Sequence, residues 1–241
     1  MSLPVFLHPD LSAARAGDTV AIDGPEGRHA VTVKRIQPSE RVALADAAGF
    51  RAEVDVTVVD GKDFLEGTVV SGEQAPEPSP RVVVIQAIPK SERAELAVDL
   101  ATQAGADEII AWSAERCVAR WDAKKAPKAL AKWQAAATSA AKQSRRPRVP
   151  RVSGPLSTAE VAALLEEHRA YVLHEEGAVS IKDVPLDAET VYVVVGPEGG
   201  IGSEELATLG AQAVRLGPEV LRTASAAMVA LAAIGMRTER W

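Results

Sequence analysis

Residues 191–206 read Val191-Tyr192-Val193-Val194-Val195, then Gly196-Pro197-Glu198-Gly199-Gly200-Ile201-Gly202, then Ser203-Glu204-Glu205-Leu206. Five apolar residues without alternation predict a strand that is buried on both faces. The following glycines and proline predict a sharp turn that a ligand can approach closely. Ser203 is a favourable N-cap, and the two glutamates suit the positive end of a helix. A strand, a glycine-rich loop and a helix start together are typical of a cofactor site in an open α/β sheet.

The segment 196–202, called the glycine loop below, lacks two common phosphate-binding signatures. It is not GxGxxG, and it does not end in Gly-Lys-Ser/Thr, so it predicts neither a dinucleotide site nor a P-loop. Short motifs also match by chance. A tight turn without a ligand is therefore the alternative interpretation of this segment.

A second stretch, residues 216–223, reads Leu216-Gly217-Pro218-Glu219-Val220-Leu221-Arg222-Thr223 and precedes an alanine-rich run. Together with the glycine loop it resembles the SPOUT methyltransferases, and within them the ribosomal RNA small subunit methyltransferase E family. The resemblance implies a C-terminal trefoil knot that holds S-adenosylmethionine, and methylation of N3 of a uridine in 16S ribosomal RNA. Knots are rare exceptions among folds, so composition and periodicity would not predict one.

The resemblance also implies roles for single residues. The positions expected to bind the cofactor are Leu173, His174, Gly196, Gly200, Ile201, Leu216, Gly217, Leu221 and Thr223. N3 of uracil is mostly protonated at neutral pH, so the reaction needs a base or a cation that stabilises the anion. Arg222 is the expected catalytic cation, and Glu198 is the weaker catalytic candidate, for orientation or base work. The alternatives are a surface position for His174 and, for Glu198, a hydrogen bond accepted by its carboxylate that only braces the loop.

Two positions depart from the pattern of the family. The family commonly reads Leu-Arg-x-Glu-Thr-Ala, whereas this chain has Ala224 in place of the glutamate. Glu219 stands where an arginine is common. These departures keep two other functions open: a SPOUT methyltransferase with a different RNA target, and a catalytically silent RNA-binding or ribosome assembly protein.

The composition is that of an ordinary globular protein, and its 241 residues allow one large domain or two modest ones. No run of eighteen apolar residues occurs, and Met1 to Phe6 lack the features of a secretory signal, so no membrane span and a cytoplasmic location are expected. The single cysteine, Cys117, excludes an internal disulfide and is expected to be a small buried residue. No histidine and carboxylate cluster has ligand spacing, so no metal is expected.

Basic residues are concentrated in one window. The net charge is −6, yet residues 115–151 contain eleven Lys and Arg against two acids, or +9, which leaves −15 for the rest. Such a basic strip predicts a localised anionic partner, here small-subunit ribosomal RNA or the assembled small subunit. The candidate RNA-binding residues are Arg28, His29, Lys34, Arg35, Arg116, Lys142, Arg145, Arg146 and Arg148. A solvated face or a protected strand edge is the alternative.

Residues 1–75 predict a β-rich domain. Apolar and polar residues alternate around 42–44 and 54–58, and turn signals separate these segments, which favours a small barrel. Residues 27–33 fit either a strand or a short helix. The family has a PUA-like RNA-binding barrel in this place. The proline-rich segment 76–80 is the predicted linker.

The resemblance implies that residues 81–241 form the SPOUT methyltransferase domain with its C-terminal knot. Strand, helix and strand between residues 82 and 112 form a βαβ unit of a parallel sheet. Further predicted elements are a helix over 126–142, a capping box at Ser157–Glu160 that opens a helix to about His168, a strand over 171–173 and a last helix from Ala224 to about Arg240. In the family this last helix helps to form a homodimer. The expected fold is therefore α/β, with an N-terminal PUA-like β-barrel.

Overall fold

The computed structural model describes residues 3–241 and divides the chain into two compact units. The first comprises Met1–Pro76 and Ala141–Val149, and the second comprises Glu77–Ala140 and Pro150–Trp241. Met1 and Ser2 lie outside the described residues. They are the first residues of the predicted barrel domain and of the segment predicted not to be a secretory signal. The first unit thus contains residues 141–149, which the sequence analysis assigned to the second domain.

The first unit is built on a five-stranded sheet of order β1-β3-β4-β5-β2, in which only the β1–β3 pair is parallel. Its strands are β1 (Val5–Leu7), β2 (Thr19–Ile22), β3 (Arg41–Ala45), β4 (Phe50–Asp60) and β5 (Phe64–Gln74). Residues two apart in a strand share one face, so Ala52, Val54 and Val56 of β4 are buried together. Phe6 and Leu44 belong to the same core.

Residues 24–33 are helical, so the short helix is the correct one of the two interpretations of residues 27–33. Helix α1 (Gly24–Arg28) continues into a π-helix over His29–Val33. Pro25 stands in the first turn, where its missing N–H removes no hydrogen bond. Gly27 allows close contact, because a Cβ atom there would lie 1.8 Å from the carbonyl oxygen of Asp63.

The second unit is a seven-stranded parallel sheet of order β10-β12-β9-β11-β6-β7-β8, which confirms the α/β class. Its strands are β6 (Arg81–Ala87), β7 (Glu108–Trp112), β8 (Arg151–Leu156), β9 (Arg169–Leu173), β10 (Val179–Ser180), β11 (Thr190–Val195) and β12 (Gln212–Arg215). Its helices are α2 (Ser91–Gln103), α3 (Ala126–Gln143), α4 (Thr158–Leu165), α5 (Ser203–Leu209) and α6 (Thr223–Gly235); the last three residues of α3 belong to the first unit.

Strand β11 has the buried central position that its apolar run predicts. It lies between β9 and β6, and Val195 is opposite both Leu173 and Gln86. Val191 and Val193–Val195 are buried, and Tyr192 is partly exposed. Because neighbouring parallel strands end at the same edge, this order brings the glycine loop beside the chain that leaves β9.

Helix ends follow the sequence only in part. The capping box is confirmed: Ser157 Oγ accepts from the N–H of Glu160, and Glu160 Oε2 accepts from the N–H of Ser157. Helix α4 ends at Leu165 rather than near His168, and α6 ends at Gly235 rather than near Arg240. Beyond Gly235 the indole of Trp241 folds back onto it, which leaves no room for a Cβ.

Ser203 is not an N-cap as predicted. It is the first residue of α5, and Gly202 is the N-cap, with no side-chain capping bond. The helix instead carries Glu204 and Glu205 in its first turn, as expected for the positive end of the helix dipole.

Candidate active site

The glycine loop makes a tight turn at the carboxyl end of β11. The N–H of Gly200 donates to the carbonyl of Pro197 at 2.9 Å, and Gly200 has a φ of +71°, which favours glycine. A Cβ atom at Gly196 would lie 2.8 Å from Cγ1 of Ile201. The loop therefore folds back so that the side chain of Ile201 packs against Gly196.

A cavity of about 550 Å³ lies at this edge of the sheet, where open α/β sheets bind their ligands. Its walls come mainly from three chain segments: the end of β9, the glycine loop, and the segment from the end of β12 into α6. All nine residues predicted to bind the cofactor line it: Leu173, His174, Gly196, Gly200, Ile201, Leu216, Gly217, Leu221 and Thr223. The structure thus brings together positions up to 50 residues apart in sequence.

The cavity wall offers unused main-chain donors, which suits a polar ligand of nucleoside type. Among the described residues, no hydrogen bond engages the N–H groups of Gly217 or of residues 219–222. At Gly217 a Cβ atom would meet only Glu219 Oε2, at 3.6 Å, so the main chain there is open to close approach. Unpaired main-chain donors are readily satisfied by a ligand's polar atoms. The residues present therefore fit S-adenosylmethionine.

Arg222 lies at the N-terminus of α6 and is exposed on the cavity wall. Its carbonyl accepts from the N–H of Ser225 at 2.9 Å and of Ala226 at 3.1 Å, which fixes its main chain. Within the described part of the chain its guanidinium makes no hydrogen bond or ion pair. The cation is therefore available to an anionic group in the cavity.

Glu198 also lines the cavity, but part of its carboxylate is engaged. Its Oε1 accepts from the N–H of Lys90 at 3.0 Å, which is the bracing bond considered as the alternative. Glu219 is an exposed cavity residue, whereas Ala224 is 4% exposed within α6. The small side chain at position 224 is thus packed inside the protein rather than directed at solvent.

Further charged residues of the cavity were missed or placed differently by the sequence. Arg93, in the first turns of α2, lines the cavity, as do Glu175 and Arg215. Arg93 follows the carboxyl end of β6. Because the carboxyl ends of parallel strands lie at one edge of the sheet, this position could have predicted that Arg93 is near the cavity. Arg116, predicted to bind RNA, lines the same cavity and donates from Nη1 to the carbonyl of Gly199 at 3.4 Å.

Within the first unit, two of the predicted RNA-binding residues contact each other. Lys142 Nζ lies 2.6 Å from Glu26 Oε1 and 3.1 Å from His29 Nδ1. Burial, and then the charge of Lys142, lower the pKa of His29, so its neutral ring can accept from the ammonium. The side chain of Lys142 is only 14% exposed, so much of it supports the first unit.

The basic run that follows α3 is held by hydrogen bonds within the first unit. Arg148 donates to the carbonyls of Ala75 and Pro76 at 2.8 and 2.9 Å, and the N–H of Arg146 donates to the carbonyl of Ala141. Arg28, Lys34, Arg35 and Arg145 are exposed on the same unit. The predicted RNA-binding set therefore divides into exposed cations and cations that hold the first unit together.

Cys117 is buried, as expected, and burial raises the pKa of its thiol. A thiol of this kind is a poor nucleophile at neutral pH. In the described residues no group of three histidine, cysteine or carboxylate side chains could hold a metal ion. A search over the same residues finds no helix that is long and apolar enough to cross a membrane.

The sequence matches known RNA methyltransferases. Residues 76–235 match the model of a family described as an RNA methyltransferase domain. The chain is 48% identical over 234 residues to the ribosomal RNA small subunit methyltransferase E of Mycobacterium bovis, covering 93% of this chain and 89% of that protein. Its identity to the protein of the same name from Bacillus subtilis is 31%, covering 92% and 91%.

Two solved structures share the architecture over nearly the whole chain. One is a ribosomal RNA small subunit methyltransferase E from Neisseria gonorrhoeae bound to S-adenosylmethionine, with a TM-score of 0.87, 29% identity and 98% coverage of both chains. The other is a putative methyltransferase from Legionella pneumophila with the same bound cofactor, with a TM-score of 0.87, 25% identity and 98% coverage of both chains.

Proposed function

Because the chain belongs to the ribosomal RNA small subunit methyltransferase E family, it is an S-adenosylmethionine-dependent methyltransferase of small-subunit ribosomal RNA, and we propose that its target atom is N3 of one uridine. The observation that carries this proposal is the convergence of the glycine loop and residues 216–223 on one cavity. The guanidinium of Arg222, which has no partner among the described residues, lies on its wall. A cation in that position suits an acceptor that becomes anionic when it loses its proton.

The donor brings a methyl group activated on a sulfonium, so the protein mainly has to hold donor and acceptor in line. We propose that the main-chain groups of residues 196–202 and 216–223 hold the adenosine part. Leu173 and His174 close the cavity from the end of β9. The open space at Gly217 and the unpaired N–H groups after it support this assignment.

Arg222 and Glu198 have different proposed tasks. Arg222 stabilises the uracil anion, because its guanidinium is exposed and its main chain is fixed by the start of α6. Glu198 orients the loop and, through its second oxygen, the acceptor, because its first oxygen is held by Lys90. Ala224 carries no carboxylate, so proton removal does not depend on a glutamate at that position.

The finer architecture is also a proposal. We infer that residues 1–75 form a PUA-like RNA-binding barrel, that 76–80 are a linker, and that 81–241 form a SPOUT domain with a C-terminal knot. The five-stranded sheet and the exposed Arg28, Lys34 and Arg35 support the first of these. The cytoplasm, where small subunits are assembled and used, is the proposed place of action.

The decisive experiment compares the methylated nucleosides of 16S ribosomal RNA from cells with and without the gene, by mass mapping. Loss of a single 3-methyluridine, restored by the gene, is the expected result. Loss of a different methylated nucleoside would mean another RNA target. An unchanged pattern would favour a silent RNA-binding or assembly protein.

A homodimer is the expected assembly. Four apolar side chains on α6 and the C-terminal end are exposed, at 37% to 76%: Met228, Val229, Met236 and Trp241. Large exposed apolar side chains in one segment of the chain are consistent with a protein partner. Light scattering should give about twice the 25.3 kDa of the chain. Replacing Met228 and Val229 by lysine should yield monomers, and a monomeric unmodified protein would contradict the proposal.

Salt dependence should identify the RNA-backbone contacts. Arg145→Ala combined with Arg146→Ala should weaken RNA binding and reduce the slope of log K against log salt by about one unit for each lost phosphate contact. Calorimetry should show unchanged binding of S-adenosylmethionine. Arg15→Ala, an exposed arginine of the first unit outside the predicted set, is the matched control and should leave the slope unchanged. An unchanged slope in the double variant would exclude both arginines as phosphate contacts.

A further inference from the structure

Glu205 is a buried carboxylate that the proposed mechanism does not use. It is the third residue of α5, three positions after the glycine loop, and its side chain is only 4% exposed. It does not line the cavity. Carboxylates are rarely buried without strong hydrogen bonds, because burial removes the charge from water. Its contacts therefore indicate what it is for.

One carboxylate oxygen ties three segments together. Oε1 of Glu205 accepts from the N–H of Glu115 at 2.8 Å and from Oγ1 of Thr158 at 2.7 Å. Oγ1 of Thr158 in turn accepts from Nε1 of Trp112 at 3.2 Å. Trp112 ends β7, Glu115 lies in the loop after it, and Thr158 begins α4. The carboxylate thus fixes the main chain immediately before Arg116.

Arg116 lies across the glycine loop at the cavity. Its Nη1 donates to the carbonyl of Gly199 at 3.4 Å, and its Cβ is 3.0 Å from where a Cβ at Gly199 would stand. Its Nη2 is 3.2 Å from the corresponding point at Gly202. The glycines therefore leave the space that this side chain fills. One end of the arrangement is the buried carboxylate, and the other is a cation at the cavity.

We propose that Glu205 is a positioning residue for methyl transfer: it holds the main chain at Glu115, so that Arg116 remains over the glycine loop and presents its charge to the RNA acceptor. This inference rests on the proposed function. The bond to Glu115 is short and part-buried, with a carboxylate oxygen as acceptor, so it is directional. An arginine side chain has many rotamers. Fixing the adjacent main chain lowers the conformational entropy that the side chain loses when RNA binds.

A double-mutant cycle separates positioning from an independent role. Single-turnover rates at saturating RNA are compared for Glu205→Asp, Arg116→Ala and the pair. Aspartate keeps the charge but withdraws it from Glu115 by one methylene. Each single change should lower the rate roughly tenfold, and the pair should be no slower than Arg116→Ala alone, because coupled residues are not additive. Losses that multiply would overturn the inference.

Two controls complete the cycle. Glu205→Gln keeps an oxygen acceptor for Glu115 and should retain the rate within about threefold, in contrast to the aspartate variant. Glu204→Ala changes the exposed neighbour in the same helical turn and should have no effect. Thermal unfolding of each variant shows whether a lower rate reflects lost structure.

A measurement independent of activity keeps the inference separable from the proposed function. The ¹⁵N relaxation of the Arg116 Nε–H group should show an ordered side chain in the unmodified protein and in Glu205→Gln, and a mobile one in Glu205→Asp. Equal order in all three would overturn the inference even in an active enzyme. Failure of the unmodified protein to methylate RNA would instead contradict the proposed function.

Discussion

Arg222→Ala is expected to lower the single-turnover methylation rate at saturating RNA by about a hundredfold or more, since one preorganised electrostatic contact commonly contributes that much. The guanidinium is unpaired among the described residues and lies on the cavity wall, so its interaction with the acceptor anion forms mainly in the transition state. Quenched-flow assays with labelled S-adenosylmethionine would measure the rate. Donor affinity should change little, because the unpaired N–H groups beside it remain.

Arg222→Lys is the matched control, because it keeps a positive charge without the planar fork of donors. It should fall between the unmodified protein and the alanine variant. If the alanine change only weakens RNA binding and leaves the saturated rate intact, Arg222 contacts the RNA backbone. The chemistry would then have to be sought at Glu198 or on a second copy of the chain.

Gly217→Leu is expected to reduce the affinity for S-adenosylmethionine by about a hundredfold or more, because overfilling a packed site by several methylenes adds a few kcal/mol of strain or displacement. The change should be tolerated by the fold. A Cβ at this position would meet only the flexible end of Glu219 at 3.6 Å, so the new side chain extends into the cavity. Calorimetry with the donor and with its demethylated product measures the loss.

Gly217→Ala provides a graded control with a much smaller side chain, and its loss of affinity should be correspondingly smaller. Unfolding temperatures of both variants should stay close to that of the unmodified protein. Normal donor binding by the leucine variant would mean that the ligand lies elsewhere, and the assignment of residues 216–223 to the cofactor would fail.

Local chemistry predicted the central part of the second unit well. The unbroken apolar run of β11 is stable only as a central strand whose two faces are both covered. The glycines after it favour a turn rather than a continued strand or helix. Ser157 and Glu160 cap α4 through contacts only three residues apart. In each case the interacting groups are neighbours in sequence, so the local sequence pattern is enough to predict the structure.

The residues that the sequence did not find depend on strand order. Arg93 reaches the cavity because β6 is placed beside β11, and Glu205 acquires its role because Glu115, 90 residues away, donates to it. Neither pairing leaves a periodic signal. The sequence left residues 27–33 open between strand and helix for a related reason: Gly27 packs closely against the carbonyl of Asp63, and the local pattern does not contain this tertiary contact.

The assignment of residues 141–149 to the first unit has a consequence for how the protein is made. The ion pair of Lys142 with Glu26 and the bonds of Arg148 to Ala75 and Pro76 all belong to that unit, yet one partner of each is synthesised long after the other. The N-terminal sheet therefore emerges from the ribosome well before residues 141–149, which belong to the same unit. The first unit becomes complete only after β6, β7 and most of α3 have also been translated, so it cannot finish folding before part of the second unit has emerged.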